Sequence, residues 1–61
     1  MNASQVKEWL IAQFTRDLPQ PKRAQAIAAI DPALEKYSGA YQFSGIDMMA
    51  IERKILTAIG A

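Results

Sequence analysis

A chain of 61 residues is one domain at most, and it buries only about 60% of the surface that its unfolded form exposes. A composition that is 51% hydrophobic and 21% charged is globular, and the absence of cysteine and histidine excludes disulfides, thiolate metal sites and the usual general base. Seven basic against six acidic residues leave a net charge of +1, which gives no strong electrostatic drive toward nucleic acid, anionic lipid or an acidic partner.

The opening "MNASQVKEWLIAQF" has no charged segment before a long apolar run, so it does not read as a secretory signal, and Met1 reads as a true start. No apolar stretch approaches the ~18 residues of a membrane span, and a cytoplasmic location is the default expectation. The first helix is predicted over about 3–17. Asn2 is a plausible N-cap with Gln5 three residues on, the spacing of a capping box. Val6, Leu10 and Phe14 recur at intervals of four, and Trp9, Ile11 and Leu18 widen the stripe to more than half the circumference. Pro19 ends the helix, because a residue preceding proline is pushed out of the helical region.

A second helix is predicted over about 21–30, started by Pro21 and rich in alanine around Ile27 and Ile30. Asp31 and Pro32 read as the N-cap and first turn of a short continuation over 32–37, which closes at Ser38 and Gly39 with the glycine left-handed. A single kinked helix from Pro21 to Tyr37 is the alternative, and a break is preferred. Tyr41 and Phe43 alternate in a segment too short for a stable strand, so it is expected to be a loop whose aromatics fold back on the core. The last helix is predicted over about 45–59, stopping at Gly60. Ser44 and Asp47 form its capping box, and Phe43 and Met48 hold the two positions of a hydrophobic staple.

These elements make an all-α fold, a small bundle of three main helices in a single domain over 1–61. The predicted core is Val6, Leu10, Phe14, Leu18, Ile27, Ile30, Leu34, Tyr37, Met48, Ile51, Ile55 and Ile59. At 100° per residue, Lys7 falls inside the apolar arc of the first helix and Glu52 inside that of the last. Three readings compete: solvated stems lying over the core, a partly buried Lys7–Glu52 ion pair, or contacts across chains.

Catalysis finds no support. Ser4, Ser38 and Ser44 lack a histidine to activate them and sit at helix ends, and the glycines do not form a phosphate loop. No cofactor, metal or small-molecule substrate is expected. The pairs Lys22–Arg23 and Arg53–Lys54 could form a modest basic patch, so a small helical DNA-binding protein or transcriptional regulator is the alternative reading. The preferred expectation is a protein-interaction module, whether adaptor, inhibitor or accessory subunit, with another protein or a second copy as partner. A small core without staples, wide apolar stripes and aromatics at edge positions favour it. Candidate contacts, chosen from the arc edges, are Trp9, Ile11, Tyr41, Met49, Arg53 and Leu56.

Overall fold

The computed structural model describes residues 1–61 and contains four helical segments and no strand: α1 (Ala3–Asp17), α2 (Lys22–Ala28), α3 (Ile30–Leu34) and α4 (Gly45–Ala58). About 67% of the chain is helical, and the fold is a small all-α bundle. The radius of gyration of 10.9 Å matches the roughly 10.5 Å of a compact chain this long.

Both long helices start as their sequences dictate. The Gln5 amide donates to Asn2 Oδ1 at 2.9 Å, and the Asn2 amide donates back to Gln5 Oε1 at 2.9 Å. At α4 the Asp47 amide donates to Ser44 Oγ at 3.1 Å, and the Ser44 amide donates to Asp47 Oδ2 at 3.0 Å. Each box satisfies two backbone groups that a helix start otherwise leaves open. Phe43 and Met48 are both buried on either side of the second cap, as a staple requires. The far end of α4 closes on Gly60, whose φ of 75° is the left-handed conformation that glycine adopts without strain. There the Ala61 amide donates to the Leu56 carbonyl at 2.9 Å, and the Gly60 amide to the Thr57 carbonyl at 3.2 Å, a Schellman closure.

The middle of the chain departs from the reading. The break falls at Ala29, two residues before the expected junction, and Ala29 stays in the right-handed helical region, serving as end of α2 and start of α3. Asp31 is therefore no N-cap. It lies in the first turn of α3, and no side chain caps that helix. α3 ends at Leu34, with a turn beyond it in which the Tyr37 amide donates to the Leu34 carbonyl at 3.1 Å, and Gly39 does not adopt a positive φ.

Lacking caps, α2 and α3 are fastened by their neighbours. Lys22 Nζ donates to the Ile59 carbonyl at 2.6 Å, tying the first residue of α2 to the end of α4. Arg23 Nε donates to the Leu18 carbonyl at 3.0 Å. α3 alone packs closely on all three other helices, and its Ile30 is fully buried.

The core consists of Val6, Leu10 and Phe14 from α1, Ala26, Ile30, Phe43, and Met48, Ile51 and Ile55 from α4. Leu18, Ile27, Leu34, Tyr37 and Ile59, expected within it, pack half-buried around it. Ala26 takes a central place because a methyl group lets α2 approach α1 closely. Phe43 enters from the loop, where its ring and those of Tyr37 and Tyr41 form a triangle with centroids 4.8 to 5.1 Å apart. The loop is also held to the chain's first residue: the Phe43 amide donates to the Met1 carbonyl at 2.7 Å, and the Met1 ammonium donates to the Phe43 carbonyl at 2.9 Å.

Candidate functional surface on the last helix

The core stripe of α4 leaves an opposite face uncovered. Ile46 is 81% exposed and Met49 64%, one helical turn apart, and Ala50 and Arg53 beside them are exposed too. Two large apolar side chains presented together to solvent are the least expected feature of a chain whose core is so small. Of the residues singled out from the sequence, Met49, Arg53 and Tyr41 are exposed. Met49 and Arg53 lie at i, i+4 on this face, with the half-buried Leu56 one turn on. Trp9 and Ile11 go elsewhere: both are half-buried against the core from α1, on opposite flanks of its stripe. Ile46 was not singled out. Its signal was its position, diametrically opposite Ile55 on the wheel, the one large apolar residue on the polar side of the helix.

Tyr41 is exposed in the loop before α4 and is anchored to the helix start. Its hydroxyl donates to Asp47 Oδ2 at 2.8 Å, the same oxygen that closes the cap. The bond from the Ser44 backbone first, and then the Tyr41 hydroxyl, holds the Asp47 carboxyl below its ordinary range. The bond to Asp47 in turn holds the Tyr41 hydroxyl above its own.

Beside the apolar turn, between α4 and the end of α3, lies a notch of about 80 Å³ lined by Ala33, Lys36, Tyr37, Ala50, Ile51 and Lys54. Its volume is well above the roughly 10–15 Å³ that a single water needs. The two lysines meet at it. The contact with the Lys54 amine, and then the repulsion between the like charges, holds Lys36 below the ordinary lysine range. No acidic side chain pairs with Lys36, Arg53 or Lys54, since the two ion pairs of the chain are Lys7–Asp31 and Arg16–Asp17. No signal in the sequence brought Lys36 to Lys54, because they are 18 positions apart on elements whose mutual rotation is a tertiary matter.

Of the three readings of Lys7 and Glu52, the ion pair between them does not form. Lys7 Nζ reaches Asp31 Oδ1 at 2.9 Å and Oδ2 at 3.1 Å, with side-chain exposures of 43% and 67%. The reason is the placement of α3, which packs on α1 and presents its first-turn acid on the flank from which Lys7 emerges. Glu52 is half-buried and makes no hydrogen bond or ion pair; the cation that feels it is Arg16, whose pKa is raised first by its bond to Asp17, next by the Asp17 charge and least by Glu52. The basic pair Lys22–Arg23 is engaged by the backbone carbonyls of Ile59 and Leu18. No three acidic side chains come together as a metal site would need, and no helix is long and apolar enough to cross a membrane.

Comparison with protein-family models, with curated proteins and with solved structures finds no match.

Proposed function

We propose that this protein is a small protein-binding module, an adaptor, inhibitor or accessory subunit of the cytoplasm, and that it binds through the outward face of α4. The observation that carries this reading is the joint exposure of Ile46 at 81% and Met49 at 64% on one turn. Exposed apolar groups that adjoin one another and are rimmed by polar residues mark interaction sites. Arg53, one turn on from Met49, is a residue type enriched where interfaces gain most of their energy. Nucleic-acid binding has less support, because Lys22 and Arg23 are each drawn to a backbone carbonyl of the chain and a phosphate backbone gives no use to Ile46 and Met49.

Light scattering across a dilution series tests the reading, on the wild type and on I46D/M49D. Both side chains are exposed, so the double variant keeps its far-UV circular dichroism. Mass that falls on dilution, and stays monomeric in the variant, identifies a second copy as the partner. A monomer at every concentration removes self-association, and a heterologous partner is then sought by capture with wild type and variant in parallel. Partners retained equally by both forms would overturn the assignment to α4.

A further inference from the structure

We infer that the occupant of this face is an acidic, amphipathic helical segment of another protein, with a carboxylate held between Lys36 and Lys54 and its apolar stripe over Ile46 and Met49. This rests on the reading of α4 as a binding face and names the chemistry of what binds. Ile46, Ala50 and Lys54 are at i, i+4 and i+8, one row along the helix; Met49 and Arg53 form the row beside it. Apolar and cationic groups thus share one continuous strip, about two turns long in the first row and one in the second. Lys36 joins the strip from outside α4, through the notch that it lines with Lys54. The apolar lining of that notch is Ala33, Tyr37, Ala50 and Ile51, and its two amines have no acidic partner within the chain. Two ammonium groups brought to one apolar notch repel unless an anion lies between them, and a carboxylate there accepts charge-assisted hydrogen bonds from both.

The same charges argue against a second copy. A two-fold contact sets this patch against its own copy, and the patch carries Lys36, Arg53 and Lys54 with no acid paired to any of them, so a second copy brings more positive charge to the face and not the anion that the notch calls for. Like charges brought together in an interface disfavour that pairing. They argue against nucleic acid less directly: phosphates satisfy the cations and leave the apolar row bare. A helix with leucine-type residues at i, i+3 or i+4 and i+7, flanked by glutamates, serves both rows at once.

The test is selection from a displayed library of amphipathic helical peptides, about four turns long, whose flanking positions vary among Glu, Gln and Lys. It is run on the wild-type chain and on K36E/K54E, whose altered side chains are exposed and outside the core. Glu should be enriched on the wild type, and the selected peptides should bind K36E/K54E about tenfold or more weakly, the loss of two surface-type pairs. On K36E/K54E the enrichment should switch to Lys. Peptides chosen without charge preference but lost on I46D/M49D would overturn this inference and leave the α4 reading standing. Peptides indifferent to both double variants, or no binders, would overturn both. Displacement of the Glu peptide by a short DNA duplex at lower concentration than by itself would overturn the inference in favour of nucleic acid.

Discussion

The two long helices and the short pair between them are held by different means. α1 and α4 carry their own instructions: a capping box at each start, a stripe of apolar residues at helical spacing, and for α4 a Schellman closure at Gly60. α2 and α3 have no side-chain cap at all. They are seven and five residues long, too short to stand alone, and their ends are secured by groups from elsewhere: Ile59 accepts from Lys22, Leu18 from Arg23, and Lys7 meets Asp31. A helix can be specified locally or by what surrounds it, and only the first kind is visible in a linear reading.

The comparison breaks most readily at Ile30. It belongs to the least self-sufficient helix, yet it is fully buried where α3 touches the other three. Ile30→Ala should cost roughly 2–5 kcal/mol, the range for emptying a buried isoleucine site, and in a domain of this size that approaches the whole stability. Chemical denaturation followed by circular dichroism at 222 nm measures it; a loss under about 1 kcal/mol would mean that the contacts of α3 with the other three helices do not hold the domain together.

Next in size are the fastenings themselves. Lys22→Met leaves the Ile59 carbonyl without its charged donor and should cost about 1.5 kcal/mol. Ser44→Ala removes the cap of α4 and should cost about 1 kcal/mol. If the distinction is sound, the first loosens α2 and the second frays the start of α4, and amide exchange resolved by residue tells the two apart.

Smaller still is the ion pair. Exposed as it is, Lys7–Asp31 should contribute less than about 1 kcal/mol. A double-mutant cycle of Lys7→Met with Asp31→Asn should show whatever coupling exists, and Lys7→Met with Glu52→Gln should be additive. Coupling in the second cycle would contradict the geometry.

The loop that joins α3 to α4 supplies the last effect, a pH dependence at both extremes. Asp47 is held below its ordinary pKa, so its contribution is present above about pH 3.9, the unfolded carboxylate value, and is lost as pH falls through the folded one. Tyr41 is held above its ordinary pKa, so its contribution is whole below about pH 10 and is lost as pH rises through the folded value. Removing either partner, by Asp47→Asn or Tyr41→Phe, should flatten the alkaline limb of a denaturation midpoint measured against pH; Asp47→Asn should also abolish its share of the acid limb, and Tyr41→Phe should weaken that share only in part, because the Ser44 amide still bonds the carboxylate.

The legible part of the fold follows from this division. Asn2, Gln5, Ser44 and Asp47 act within four residues of one another, so their spacing was enough, and the period of Val6, Leu10 and Phe14 found the inner face of α1. Asp31 was misread because an aspartate before a proline is a good local cap, and only the arrival of α1 offers it Lys7 instead. Lys7 and Glu52 were matched by charge alone: a wheel shows that a residue lies within a stripe but not which neighbour covers that side. The candidate surface was half legible for the same reason. Met49 and Arg53 lay at an arc edge, whereas Ile46 lay outside every arc that was drawn, and the Lys36–Lys54 notch exists only once α3 has been set against α4.

The reciprocal bonds between Met1 and Phe43 have a practical consequence. The amide proton of Phe43 is sealed by the first residue of the chain, 42 positions away, not by a helical turn of its own. Its exchange with deuterium therefore clocks one event, the peeling of the first residues, with the start of α1, from the start of α4. Set beside the amides of Leu10 and Ile55, which open only when the core does, this single proton becomes a gauge of whether the ring formed by the chain opens as a latch or only with the whole domain.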